Sequence, residues 1–449
     1  MGRAKSTDTM RPLALYAVLV GLTGCYTPQT VTETHAMEVW RAVQAEREDV
    51  TPSEAEPSAP LTLTAQEAAR RALELHPESR VARARVASAR THADALTMAP
   101  AVELRVTELK LDELVDGDRE LDVGLRLRPQ FPALVATQRT RASEEVVVEE
   151  AQAERLGLAV REQARTLHSA LILGARRLEL LQERASLLEG ARLRLDAAGS
   201  QGAATSLEIN LARLGAVEAT DELAEARAEL GELRAAWTQL LSLSPNTQWD
   251  LAGSPGGVDE PLAPAPDYEG VLELALKNRP ETRERAARLS QAHADVWTER
   301  LRQIPWLSFA QASHEIRPKA DSMSWGFALG VDIPVERWFA DEVAARRADL
   351  EVRRQEERAA ILAIAGQVTE ALQRLSSAVD RYSEAKRTLV PAIEEARAVG
   401  EAQSSERGLE PKRVLRLALT RVSAQLRLLE ARRDAIEARL RLDRVLARP

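Results

Sequence analysis

The sequence predicts a mainly α-helical protein with a small β part, assembled from two copies of one plan. Three observations carry this. The helical end Ala72-Leu73-Glu74-Leu75-His76-Pro77-Glu78 returns downstream as Ala275-Leu276-Lys277-Asn278-Arg279-Pro280-Glu281. After Pro100 and after Pro305 the sequence turns from helical to strand-like, and the spacing of Gly124 and Pro132 recurs in Gly326 and Pro334. A very long charged helix follows each of those later prolines, and a duplication on this scale fixes the architecture ahead of any motif.

At the N-terminus, Arg3, Lys5 and Arg11 accompany an apolar stretch from Pro12 to Leu22 that is too short to span a bilayer. It ends in Leu22-Thr23-Gly24-Cys25, which resembles a bacterial lipobox. Residues 1–24 are therefore expected to be a lipoprotein signal peptide, with Cys25 as the acylated first residue of the mature chain. Cys25 is also the sole cysteine. An exported chain with no other thiol has no disulfide, no cysteine metal site and no cysteine nucleophile. Residues 25–60 read as this lipidated N-terminus and a Pro/Ser-rich tether. Residues 61–243 form the first repeat, 244–267 a proline-rich linker and 268–449 the second repeat.

Within the first copy, a helix is expected from about Thr64 to Ala99. Two short strands follow: Val102, Leu104 and Val106 alternate with Glu103, Arg105 and Thr107, and Leu121, Val123, Leu125 and Leu127 alternate with Asp122, Gly124, Arg126 and Arg128. Period two of this kind gives one oily face and one charged face. The second copy repeats it with Trp325, Phe327, Leu329, Val331 and Ile333, although its partner strand from Trp306 to Ser313 alternates less cleanly. Short polar loops, Lys110 to Glu120 and Arg317 to Ser322, close one hairpin in each copy.

The long helix of the first copy is expected from about Thr137 to Ala198, about 90 Å at 1.5 Å per residue. Its stripe is Leu167, Leu171, Gly174, Leu178, Leu181, Ala185 and Leu188; the next helix carries Leu223, Ala226, Leu230, Leu233, Trp237 and Leu240. Steps of three and four predict coiled-coil packing. In the last helix the predicted seam is Leu419, Val422, Leu426, Leu429, Ile436 and Leu440, with Arg433 occupying a seam position. Turns are expected at Gly199 to Gly202 and at Gly400 to Gly408.

Composition removes several function classes. Aromatic residues make up 3% and charged residues 29% of the chain, the net charge is −8, and no basic patch interleaves with aromatics, which argues against nucleic acid. The six histidines never fall at metal-ligand spacing, and no phosphate-binding loop, His-Glu-x-x-His or Gly-x-Ser-x-Gly is present. The sequence thus predicts no enzyme, no cofactor and no metal. Amphipathic strands in an exported chain are either half of a soluble sheet or the wall of a membrane barrel with a watery lumen. Four strands cannot close a barrel alone, since single-chain barrels begin at about eight strands and lipid tolerates no open sheet edge. The barrel alternative therefore requires an obligate oligomer. In it, Glu103, Arg105, Asp122, Arg126 and Arg128 would line the lumen.

These features resemble the TolC-like outer membrane factors of efflux and secretion systems, from about Leu61 to Arg448. The resemblance rests on the Leu-x-x-x-Pro-Glu helix ends, on Gly-x(7)-Pro after both hairpins, and on Gly202-Ala203-Ala204-Thr205-Ser206-Leu207-Glu208-Ile209-Asn210-Leu211-Ala212. This last segment is similar to the family's Gly-x-x-Ser-x-Leu-Asp-Val/Leu-x-x-Ala motif. In the second copy Gly408 and Ala418 keep the spacing, while Pro411 and Arg413 depart from it. The family implies a homotrimer whose hairpins form a twelve-stranded transmembrane β-barrel, prolonged by a coiled-coil helical tunnel across the periplasm. It also implies a periplasmic adaptor at the helix tips (Gly202, Thr205, Leu207, Glu208 and Gly408), acidic entrance-gate residues (Glu401 and Glu406), and an inner-membrane pump of the resistance-nodulation-division or ABC type. Tyr26 after the lipidated cysteine, by resemblance to other lipoproteins, favours the outer membrane. The expected function is the outer membrane channel of a tripartite efflux or type I secretion system, its cargo left open. A lipid-anchored periplasmic coiled-coil scaffold or adaptor is the rival, but it leaves two identically placed hairpins unexplained.

Overall fold

A computed structural model describes residues 37–39, 41–42, 61–96, 99–111, 118–244, 247–252, 266–316, 324–339, 341–405 and 411–447. The chain divides into two compact units, residues 1–59 and 60–449. In the first, the described residues are helical and exposed. The second contains everything that follows.

It begins with strand β1 (Leu61–Leu63), helix α1 (Ala65–Leu75) and helix α2 (Pro77–Ala95). The single helix expected here is broken at His76. Pro77 has no N–H to continue the ladder and holds the preceding residue extended, at φ −61° and ψ 125° for His76, so it starts a new helix instead. Thr64 closes the start of α1 with a reciprocal capping box to Glu67.

Strands β2 (Ala101–Leu111) and β3 (Asp118–Arg128) form the first hairpin. At 11 residues each they reach into the expected loop, because pairing continues to Leu111 opposite Asp118. Helix α3 (Pro132–Ser200) then runs unbroken for 69 residues, about 100 Å, starting five residues ahead of expectation because Pro132 serves as its first position. It packs along helix α4 (Ser206–Leu240). The predicted stripes of both helices meet: Leu171, Leu181, Leu223, Ala226, Leu230, Trp237 and Leu240 are buried. A Cβ on Gly174 would lie 3.4 Å from Leu230, which is ordinary contact.

Strand β4 (Trp249–Leu251) pairs in parallel with β1, a link the sequence did not reveal. The second copy repeats the plan as α5 (Tyr268–Asn278), α6 (Pro280–Arg302), β5 (Trp306–Ile316), β6 (Ser324–Asp332), the short α7 (Val335–Trp338), α8 (Glu342–Ser405) and α9 (Pro411–Val445). Its core stripe on α8 is Ile364, Val368, Ala371, Leu375, Ala378 and Tyr382, in strict steps of four and three.

On α9 the predicted seam holds at Val422, which is fully buried, and is corrected toward the C-terminal end. The residues buried against α8 are Ala435, Ala438, Leu442 and Val445, with Leu428 and Ala431 packed beside them. Arg433 is exposed and ion-pairs with Glu437. Leu426 instead packs against Leu181 and Leu223 of the first copy. One face of α9 thus meets its own partner and another meets α3, which a single heptad frame cannot register.

Candidate functional site

The four long strands form one antiparallel sheet in the order β2-β3-β5-β6, so the two hairpins join through β3 and β5. Cross-strand partners share a face. Glu103 stands opposite Arg126, Arg105 opposite Gly124 and Thr107 opposite Asp122, which puts all five sequence-predicted strand residues, with Arg128 beside Ala101, on one polar face. Glu103 and Arg128 pair at 2.9 Å. Arg126 donates from Nε and Nη2 to Gln311 Oε1 at 2.9 and 2.7 Å, and its guanidinium lies 4.2 Å from the Phe309 ring centroid. Arg105 is exposed, and Asp122 Oδ1 is buried without a hydrogen-bond partner among the described residues.

Phe309 and Gln311 were missed in the sequence because of a bulge. The register slips between Leu307 and Phe309, so Leu307 faces Val331 on the oily side while Phe309 faces Gly330 on the polar side. The glycines opposite them were the available signal. A Cβ on Gly330 would fall 2.2 Å from the Phe309 ring, and one on Gly326 2.9 Å from Ser313 Oγ.

The other face of the sheet is bare. Val102, Leu104, Val106, Leu125, Leu127, Trp325, Phe327, Leu329 and Val331 are all exposed, Phe327 at 82%. Among the described residues, no helix covers them. Full burial of such side chains is worth about 1.5–3 kcal/mol each, so leaving this face in water forgoes on the order of 10 kcal/mol.

At the far end of the helices, α3 gives way to a turn in which Gly202 adopts φ +75°, open to glycine and costly for other residues. A Cβ on Gly199 would sit 2.4 Å from Ile209 Cδ1, so the start of α4 packs tightly on the end of α3. Thr205 caps α4: its Oγ1 accepts from Glu208 N at 3.3 Å, and Glu208 Oε2 accepts from Thr205 N at 3.0 Å. Glu208 Oε1 also takes the Lys412 ammonium at 2.7 Å. Lys412 first, and the Thr205 cap second, hold the Glu208 carboxyl down at about 2. Leu207 is exposed. With Leu211, Leu214 and Val217 it makes an apolar stripe along α4. Beside it, a groove of about 770 Å³ separates the two helical pairs, lined by Leu188, Leu195, Leu211, Leu389, Leu415 and Leu419 among others. The side chain of Glu401, in the last turn of α8, and the residues Cys25, Glu406 and Gly408 lie outside what is described.

His168 is a further group that the sequence did not single out. It is buried on α3 near Trp237, ring centroids 5.9 Å apart, with Trp249 on the far side of that indole. Burial pushes its pKa down from the usual imidazole value, partly offset by backbone hydrogen bonding with Ala252 and Leu63. Among the described residues, no cluster of His, Cys, Asp and Glu could hold a metal ion, and no helix is long and apolar enough to cross a membrane.

No family profile matches the sequence, and no curated protein matches it. Solved structures do share its fold. The Campylobacter jejuni CmeC outer membrane channel superposes with a TM-score of 0.70 at 13% identity, over 89% of this chain and 91% of that one. The outer membrane protein VceC from Vibrio cholerae gives 0.62 at 16% identity, over 85% and 96%. The open-state MtrE outer membrane channel of Neisseria gonorrhoeae gives 0.60 at 17% identity, over 85% and 88%. The architecture is therefore that of bacterial outer membrane channels.

Proposed function

We propose that this chain is the outer membrane channel of a tripartite efflux or type I secretion system, working by conduction and not by catalysis. The observation that carries this is the sheet: one face oily and bare, the other charged, and both edge strands, β2 and β6, open. Open edges of this length in a soluble monomer invite aggregation. Three copies pairing β6 to β2 close a twelve-stranded barrel, put the oily face against lipid and turn Glu103, Arg105, Asp122, Arg126 and Arg128 toward water. Strands of 9 to 11 residues suit a bilayer crossing. The helical pairs prolong the passage into the periplasm.

In this proposal residues 1–24 are removed and Cys25 carries lipid in the outer membrane. Residues 25–60 are the tether. The repeats span 61–243 and 268–449 about the linker 244–267. The tips at Gly202, Thr205, Leu207, Glu208 and Gly408 receive a periplasmic adaptor coupled to an inner-membrane pump of the resistance-nodulation-division or ABC type, with Glu401 and Glu406 as gate candidates at the entrance. The adaptor or scaffold alternative gives the bare sheet no role.

The test is made on the mature full-length protein. Detergent-extracted material is expected to cross-link as a trimer between Cys residues introduced on β2 and β6 of neighbouring copies, and to open discrete conductances in a planar bilayer. Cys25→Ser is expected to leave it an integral membrane protein. A monomer released into buffer by Cys25→Ser, silent in the bilayer, would overturn the proposal.

A further inference from the structure

The polar face of the sheet has a shallow trough whose surroundings are rich in hydrogen-bond donors. One cross-strand row there reads Arg105, Gly124, Ser313 and Gly326, so two of its four positions carry no side chain. A Cβ on Gly124 would lie 3.1 Å from Gln311 Nε2 and 3.2 Å from Ser313 Cβ, which puts the Gln311 amide at the edge of the trough. Gln311 gives its oxygen to Arg126, and its Nε2 donors have no partner among the described residues.

Arg126 is set apart from its acidic neighbour. Glu103 stands directly opposite it, yet Glu103 pairs with Arg128. What holds Arg126 is an uncharged amide oxygen and the Phe309 ring, and among the described residues neither Arg126 nor Arg105 has a carboxylate partner. The ring reaches this face because the β5 bulge reverses parity and because Gly330 leaves room for it. Charges that merely solvate one side of a sheet gain by pairing across the strands. Two unpaired guanidiniums, an amide donor and a hydroxyl, gathered around strand glycines, are what the close approach of an anion requires.

We infer that this trough is a binding site for aromatic anions on the wall of the lumen, one in each subunit. Arg105, Arg126 and Gln311 meet the acidic group, and the Arg126–Phe309 stack meets the ring. The inference rests on the barrel proposed above and names a class of solute that such a barrel would retain. Charge selects an anion at this row. Toward the hairpin loops the next row sets Asp122 opposite Glu315, which repels the same solute and confines the site to the arginines. Shape selects a ring. A guanidinium 4.2 Å from a phenyl centroid forms a flat, polarised surface on which a further aromatic ring stacks, whereas an aliphatic acid gains the charge contact alone.

The test uses the full-length protein in planar bilayers, with benzenesulfonate as probe and methanesulfonate, cyclohexanesulfonate and benzyltrimethylammonium as comparisons. Benzenesulfonate is expected to block the open channel at a lower concentration than either aliphatic sulfonate, and the cation to leave it open. Arg126→Gln is expected to raise the half-blocking concentration of benzenesulfonate about tenfold or more, through loss of a charged donor. Phe309→Leu, which leaves the Arg126–Gln311 bonds in place, is expected to raise it about three- to tenfold without changing block by methanesulfonate. Should Arg126→Gln fail to insert, Phe309→Leu decides alone. If an open wild-type channel treats the probes alike, or the variants block as the wild type does, the trough is not a binding site and the channel stands. If cyclohexanesulfonate blocks as well as benzenesulfonate, the ring plays no part and the ligand class is wrong. A wild-type protein that opens no conductance overturns the channel itself, and this site with it.

Discussion

The two copies share a plan and divide its duties. In the first, the hairpin passes through Phe131-Pro132 straight into one unbroken helix, and the tip ends in a capped, tightly packed turn. The second is interrupted by the short α7 just after the hairpin, and its long helix α8 carries Pro391 in its interior. The polar face is shared: Glu103, Arg105, Asp122, Arg126 and Arg128 come from β2 and β3, and the register adds Glu315 of β5, opposite Asp122, and Asp332 of β6, with Gln311, Ser313 and Phe309. The aromatics of the oily side, Trp325 and Phe327, lie on β6. Duplication supplied the frame, and the copies then diverged: the first enters its long helix directly and ends in a capped tip, while the second carries the aromatics of the oily face and a proline within its long helix.

The largest predicted effect ignores that division. Phe327→Arg in the second copy and Leu104→Arg in the first each place a charge on the oily face, at about 2–4 kcal/mol per subunit near mid-bilayer. Both are expected to abolish the membrane-inserted trimer, scored by urea-washed membrane fractionation and cross-linking. A soluble sheet would tolerate either change, since both side chains already face outward. Equal loss from both copies is the expected pattern; loss from one alone would mean that only one hairpin reaches lipid.

Next comes Pro391, inside α8. A proline inside a helix removes a backbone hydrogen bond and costs up to about 3 kcal/mol relative to alanine. Pro391→Ala is expected to stabilise the end of the second helical pair and to slow amide exchange around 391–405, leaving the tip of α3 unchanged. If exchange there stays as fast as before, Pro391 is not what limits the stability of the end of α8.

Much of this contrast was legible in the sequence, and the exceptions have physical causes. Alternation in β2, β3 and β6 was readable because each strand keeps one parity throughout, and the three-four stripes on α3 and α4 were readable because those two stripes pack on each other. Where one stripe must serve two partners, or a local defect changes parity, the pattern fails. Leu426 and Ala435 on α9 serve different partners, and the bulge beside Phe309 reverses parity in mid-strand. The three-residue pairing of β1 with β4 is too short to show periodicity and spans a whole copy. The Thr205/Glu208 capping box could be read locally, as Thr-x-x-Glu. Its neighbour Lys412 could not, because it arrives from the other copy through folding alone.

Burial of His168 separates the copies in their response to acid. Its folded pKa lies below the ordinary 6.5, so the unfolded chain takes up the proton first as pH falls. Stability is therefore full above about pH 6.5 and declines from there down through the folded pKa. Among the described residues, His168 is the buried histidine, and it lies in the first copy. His168→Leu is expected to remove this decline between pH 7 and pH 5 in thermal melts. A variant melting with the wild-type pH slope would assign the acid sensitivity elsewhere.

The smallest effect lies at the first tip. Thr205→Ala removes the side-chain acceptor for a backbone N–H at the start of α4, a loss of about 1 kcal/mol at a helix N-cap. Lys412→Ala removes an exposed ion pair, whose typical worth is lower still. Glu208 answers to both partners. Its carboxyl is held at about 2 against an ordinary 4.5, so their support is complete above pH 4.5 and is lost as pH falls from there toward 2. Separating the two contributions takes the double variant Thr205→Ala/Lys412→Ala. Because the cap belongs to one copy and the lysine to the other, additive losses would mean that the cap forms whether or not the second helical pair is docked. A double loss smaller than the sum would mean that Lys412 orders Glu208 for its capping role, and that the second copy tightens the tip of the first.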